Sequence, residues 1–79
     1  MKYVYILQSD TDPQRFYIGG TLDLKKRLRE HNKGQSAHTK KFVPWTLVNY
    51  FAFSDHLKAD HFEKYLKSGS GRAFAKKHF

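Results

Sequence analysis

Two short aromatic segments, Tyr3-Val4-Tyr5-Ile6-Leu7 and Phe16-Tyr17-Ile18-Gly19, bracket a polar cluster near the start of the chain. Aromatic and β-branched side chains suit a pleated, half-buried surface, so the segments predict strands over Tyr3–Ser9 and Phe16–Gly19. Between them, the acids of Asp10-Thr11-Asp12-Pro13-Gln14 bond their own backbone and Pro13 cannot extend a ladder, which makes a turn. The pair reads as an antiparallel hairpin. Each strand carries a phenol, Tyr5 and Tyr17, where a packed sheet needs no hydroxyl at all.

Downstream of the hairpin the pattern turns helical. Thr21 or Asp23 caps a helix that runs to about Asn32, with Asp23 well placed against the positive end of the helix dipole. Lys33-Gly34 ends it through a left-handed glycine. Gln35 to Pro44 reads as a basic loop, and Pro44-Trp45 seats an anchoring tryptophan at the start of a third strand, Trp45 to Phe53. Ser54 or Asp55 caps a second helix to about Ser68. Gly69-Ser70-Gly71 is expected to break it before a short final helix over Arg72–Phe79. The order β-β-α-β-α-α predicts an α+β fold, a small sheet covered by helices.

The chain has 79 residues, enough for one small domain, so residues 1–79 are expected to form a single unit. A domain of this size buries only about 60–65% of its unfolded surface, which leaves the aromatics (16% of residues) to supply much of the core. There is no cysteine, hence no disulfide framework or thiolate metal site, as fits a reducing cytoplasm. The run Tyr3–Leu7 is too short for a signal peptide or a membrane span. A cytoplasmic chain with no membrane partner is expected, and a monomer is compatible with the sequence. Fifteen Lys+Arg against seven Asp+Glu give a net charge of +8, which attracts polyanions and favours nucleic acid over anionic membrane or ribosome. A lysine-rich surface that merely maintains solubility is the plainer account of the same charge.

Angular position separates some polar groups from the rest. With Leu24 at zero on a wheel of about 100° per residue, Leu28 falls near 40°, His31 near 340° and Arg27 near 300°. Lys25, Lys26, Arg29 and Lys33 fall on the opposite side, from roughly 100° to 200°. Arg27 therefore lies beside the leucine stripe, where it can cover the core edge with its stem or turn its head into a site. His31, one turn on, reads as a packed core-edge histidine when taken alone. On the second helix Ala59, Phe62, Tyr65 and Leu66 form the apolar face, with Glu63 on its border. Glu63 either pairs with Lys67 at i+4 or points into a site; Glu30, the other glutamate, is assigned to the outward side of the first helix. In the strands Tyr3, Tyr5 and Leu7 share one face, as do Tyr17 and Gly19, and glycine lets a ligand approach the backbone closely. His56 and His61 are spaced so that they do not share a ligand face. Two phenols, an arginine and a carboxylate suit phosphodiester cleavage.

The ordered set Tyr3-Val4-Tyr5, Tyr17-Ile18-Gly19 and Asp23-Leu24-Lys25-Lys26-Arg27-Leu28-Arg29-Glu30-His31-Asn32 resembles the GIY-YIG nuclease superfamily, in particular its small single-domain bacterial members. The likeness continues through Thr39-Lys40-Lys41, Pro44-Trp45, Leu47-Val48 and Glu63-Lys64-Tyr65-Leu66-Lys67. It implies a three-stranded antiparallel sheet flanked by three helices. It also implies a metal-dependent endonuclease-like activity on nucleic-acid phosphodiesters, DNA favoured, in DNA repair or processing, with one Mg²⁺ or Mn²⁺ as cofactor. By resemblance Tyr5 and Tyr17 are the signature tyrosines, Arg27 is the catalytic arginine, His31 a polar position of the catalytic set and Glu63 the metal ligand. Gly19, Lys25, Lys26, Lys40 and Lys41 are the expected nucleic-acid contacts. Tyr3 stands where the family carries a leading glycine, Gly20 where some members carry lysine, and no asparagine follows Asn49. With no separate targeting domain in these residues, sequence specificity is expected to be poor. The competing expectation is a non-catalytic nucleic-acid-binding module on the same fold; a third is an adaptor docking on an acidic partner.

Overall fold

The computed structural model describes residues 1–79. Three strands, β1 (Lys2–Ser9), β2 (Phe16–Thr21) and β3 (Trp45–Phe53), form one sheet in the order β2-β1-β3. Both pairings are antiparallel. Helices α1 (Leu24–Asn32), α2 (His56–Lys67) and α3 (Gly69–His78) complete the α+β fold, and the loop before β3 carries a short 3-10 turn over Lys40–Phe42. No helix is long and apolar enough to cross a membrane.

β1 is the central strand, and its alternation stocks two separate cores. Val4 and Ile6 pack with Ala59 and Leu66 of α2, joined by Ile18, Phe51, Phe53, Phe62 and Ala75. Tyr5 and Leu7 pack on the opposite face with Trp45, joined by Leu24 and Leu28 of α1 and by Tyr17, Phe42, Val43 and Leu47. α1 thus covers one face of the sheet, while α2 and α3 cover the other. Fully burying a Val, Leu or Ile side chain contributes about 1.5–3 kcal/mol, so the four central residues of β1 anchor both layers.

β3 serves both cores through a register shift. Leu7 faces Leu47 but Ile6 faces Asn49, so Val48 is an extra residue on the β3 side. Side-chain direction therefore changes parity at Val48: Trp45 and Leu47 join the α1 core, whereas Phe51 and Phe53 join the α2 core. Strict alternation would have put all four on one face.

Asp23 caps α1 by accepting from the Lys26 N–H at 3.1 Å, and Asp55 caps α2 by accepting from Leu57 and Lys58. Gly34 adopts the left-handed φ of 74° expected after α1. Two local expectations need correction. Gly19 and Gly20 do not end β2, which continues to Thr21, because Tyr5 pairs with Gly19, Val4 with Gly20 and Tyr3 with Thr21. Nor do Gly69, Ser70 and Gly71 form a break of their own: they are the first turn of α3. The break is Ser68 alone, whose extended backbone separates the helices while its hydroxyl donates to the Tyr65 carbonyl at 2.5 Å and accepts from the Gly71 N–H at 3.1 Å. Glycine is needed at 71 because a Cβ there would run into the Tyr65 carbonyl.

Candidate active site

The α1 side of the sheet holds a chain of buried polar groups that begins at the first phenol. The Tyr5 hydroxyl lies 2.7 Å from His31 Nε2, and His31 Nδ1 lies 2.7 Å from Thr39 Oγ1. The Thr39 carbonyl in turn accepts from the Trp45 indole N–H at 2.9 Å. His31 and Thr39 are fully buried. One neutral tautomer lets Tyr5 donate to Nε2 while Nδ1–H donates to Thr39; the other reverses both bonds. Either way every buried side-chain polar atom has a partner. Asn32 fixes the far end by accepting from the Trp45 N–H at 2.6 Å and donating to its carbonyl at 3.1 Å. These bonds tie the end of α1 to the start of β3, which sets His31 at its depth.

Burial decides the protonation states. It pushes the Tyr5 phenol up to about 12, against the opposing pull of the nearby Arg27 guanidinium. It also lowers His31, and the positive charge of Arg27 lowers it further. A neutral imidazole therefore faces a neutral phenol at ordinary pH. Tyr17 is only half-buried and its ring lies 5.0 Å from that of His31 and 6.3 Å from that of Tyr5.

Arg27 leaves the leucine stripe for this cluster, and Glu30 goes with it. Arg27 Nη1 donates to Glu30 Oε1 at 3.0 Å, with side chains 34% and 30% exposed. Glu30 is therefore not on the outward side assigned from the wheel; the i,i+3 spacing draws it to the guanidinium. A pair this exposed contributes only a few tenths of a kcal/mol, so an incoming phosphate can displace it at little cost.

The glycine pair links this cluster to the carboxylate on the other face. Successive residues of a strand point to opposite faces, so Gly19 leaves the α1 side bare and Gly20 the α2 side. The Tyr5 ring fills the first space: a Cβ on Gly19 would meet its hydroxyl and lie 2.6 Å from its Cζ. Glu63 fills the second: its Oε1 stands 2.5 Å from where a Gly20 Cβ would be. Its other oxygen accepts from Lys67 Nζ at 2.8 Å, the i+4 pair anticipated as the simpler account. The Glu63 charge is near enough to push the Tyr5 phenol upward. Both gaps in β2 are thus filled by side chains of the chain itself, Tyr5 at Gly19 and Glu63 at Gly20, so a side chain at 20 would meet the Glu63 carboxylate.

Of the lysines expected to touch nucleic acid, Lys25 and Lys26 are exposed on α1 and Lys40 and Lys41 on the 3-10 turn. Thr39 and Glu30 are the residues that sequence reasoning missed. The spacing to Arg27 signalled Glu30; the Thr39-Lys40-Lys41 motif marks the position of Thr39 but not its bond to His31.

A small antiparallel sheet thus gathers two phenols, a guanidinium and a carboxylate around its edge strand. A family profile described as "GIY-YIG catalytic domain" matches residues 1–77, and the chain belongs to that family. It is 42% identical over 67 residues to the structure-specific endonuclease subunit SLX1 of Scheffersomyces stipitis, covering 76% of this chain and 20% of that protein. Against the same subunit of Meyerozyma guilliermondii the identity is 62% over 50 residues, 57% of this chain and 17% of that one. A UPF0213 protein of Haloquadratum walsbyi is 36% identical over 67 residues, 84% of this chain and 73% of that protein. The chain thus spans about a fifth of the two endonuclease subunits and most of the UPF0213 protein.

The family implies a divalent metal, and the residues present fit one in a limited way. No group of three or more His, Asp or Glu side chains gathers as a cage. Glu63 offers one oxygen over Gly20 that is not engaged by Lys67. A single carboxylate suits Mg²⁺, which keeps most of its waters and shares the remaining positions with substrate phosphate.

Proposed function

We propose that this domain hydrolyses phosphodiester bonds of nucleic acid, DNA in particular, as a Mg²⁺- or Mn²⁺-dependent endonuclease acting in DNA repair or processing. The observation that carries the reading is the grouping around β2: Tyr5 and Tyr17 meet at the bare Gly19 position, Arg27 stands beside the Tyr5 hydroxyl, and Glu63 fills the bare Gly20 position next along the strand. Residues 1–79 act as one catalytic unit, with Lys25, Lys26, Lys40 and Lys41 drawing in the backbone through their charge.

Each residue has a task set by its surroundings. Arg27 leaves Glu30 to donate both arms of its guanidinium to the phosphoryl oxygens as charge develops there. Tyr17, the more exposed phenol, orients the attacking water. Tyr5 stays protonated because burial holds its pKa near 12, and its bond to His31 fixes the hydroxyl beside Arg27. His31, neutral and fully buried, holds the Tyr5 hydroxyl in place through that bond and is itself held by Thr39. Glu63 holds the divalent ion, which, when bound, neutralises the scissile phosphate and the leaving oxygen.

The test is cleavage of supercoiled DNA, branched DNA and structured RNA with Mg²⁺ or Mn²⁺ present. Arg27→Ala and Glu63→Gln should each lower the rate by about 10²- to 10³-fold, the usual loss for one transition-state contact. No cleavage by the native chain, or unchanged cleavage by both variants, sinks the proposal. A non-catalytic nucleic-acid-binding module is the second reading, favoured by the +8 charge and by the ion pairs that occupy Arg27 and Glu63. It predicts salt-sensitive binding without turnover.

A further inference from the structure

Part of the α1 side of the sheet is left uncovered. The core on that side includes Tyr5, Leu7 and Trp45 but neither Tyr3 nor Tyr50. Tyr50 is 51% exposed. It is the β3 partner of Tyr5 in the register, so it stands on the same face, one strand over. Tyr3 lies two residues before Tyr5 on β1, and its ring meets that of Tyr50 edge-on with centroids 6.2 Å apart. The residues beside Tyr3 are low: Ala52, exposed, is its partner on β3, and Thr21 its partner on β2. Single exposed aromatics are common. An exposed Tyr50 ring beside a half-buried Tyr3 ring, adjoining the candidate site, is a more specific arrangement.

We propose that Tyr3 and Tyr50 form a stacking platform for an unpaired nucleobase next to the phosphate that the site engages. Cross-strand neighbours have Cβ atoms about 5 Å apart, so a base on Tyr50 lies within one nucleotide of the Tyr5–Arg27 cluster. An aromatic face accepts any base, which provides affinity without sequence preference. The net charge of +8 supplies a general attraction of the domain for a polyanion. Every base in a continuous duplex is already stacked, so the platform favours junctions, flaps and single-stranded ends. This inference deepens the nuclease reading and rests on it for the position of the phosphate.

The test uses two DNAs of equal length, one fully paired and one with a short flap that carries 2-aminopurine as its first unpaired base. Binding is measured without divalent metal, so that it does not depend on turnover. The native chain should quench the 2-aminopurine and prefer the flap. Tyr50→Ala should abolish the quench and weaken flap binding by about 5- to 100-fold, the loss of one stacked base, while leaving duplex binding unchanged. Tyr50→Phe should restore both readouts. Equal loss on both DNAs, an unaltered quench in Tyr50→Ala, or a native chain that binds neither DNA overturns the platform. A native dimer by sedimentation that Tyr50→Ala dissolves would assign the face to a second copy instead. A chain that quenches the flap through Tyr50 yet cleaves nothing with Mg²⁺ or Mn²⁺ refutes the nuclease and leaves the platform standing.

Discussion

The two faces of this sheet are built from the same central strand and differ in what they bury. Against α2 and α3, β1 presents Val4 and Ile6 to a wholly apolar set in which Phe51, Phe53 and Phe62 meet ring to ring. Against α1 it presents Tyr5 and Leu7, and Tyr5 opens the chain of hydrogen bonds that runs through His31 and Thr39 to Trp45. The apolar face gains stability from area alone and tolerates small shifts. The polar face gains little net free energy from its bonds, because they replace bonds to water, but each one left unmade costs about 1–3 kcal/mol. That asymmetry makes the α1 side exacting in geometry, which is what a site that must hold a phenol and an arginine in place requires.

The largest effect that would test this contrast is on the apolar side. Leu66 is fully buried in α2, so Leu66→Ala should cost about 2–5 kcal/mol in urea unfolding. Any cleavage per folded molecule should be preserved, and loss of cleavage by a folded variant would erase the division of labour. A smaller effect is expected at the polar side. Gly19→Ala places a methyl on the Tyr5 ring and should cost about 1–3 kcal/mol, as overpacking does. Unlike Leu66→Ala, it should displace the Tyr5 hydroxyl from His31, seen as a changed His31 imidazole signal by NMR. An undisturbed imidazole would mean that the phenol has room to spare. The smallest effect is the pH dependence. The folded pKa of His31 lies below its ordinary value of about 6.5, so unfolded chains take up the proton first. This contribution is whole above about pH 6.5 and is lost as pH falls through the lowered folded value. The melting temperature should decline over that window in the native chain and less so in His31→Gln. Equal declines would place the titrating group elsewhere.

Much of this architecture was legible in the sequence because it rests on local chemistry. Asp23, Asp55 and Gly34 announce helix ends through their own side chain or backbone freedom, and the wheel separates Arg27 from Lys25 and Lys26 correctly. What stayed hidden depends on contacts across the fold. Period two read from β3 alone does not show that Trp45 and Phe51 serve different cores, since the shift at Val48 exists only relative to β1. Glycine in β2 reads from sequence as an opening for a ligand; only the packed structure shows Tyr5 and Glu63 in the spaces at Gly19 and Gly20. Thr39 stands in a motif of the resemblance, Thr39-Lys40-Lys41, but the motif does not show that it closes the bond that orients His31. Family membership and fold were legible for the same reason: the ordered motifs span nearly the whole chain.

The shift in β3 has a consequence for how freely this fold can change length. Eight residues of β1 lie against nine of β3, so one residue of the longer strand is spare to the ladder. Removing Val48 would join two segments whose side chains are already in phase: Trp45, Leu47 and Tyr50 on one side, Asn49, Phe51 and Phe53 on the other. β1 has no such slack, for a residue lost between Val4 and Leu7 would send a phenol into the oily layer and an aliphatic chain toward the arginine. Length variation in relatives of this fold should therefore gather in the outer strand and spare the middle one.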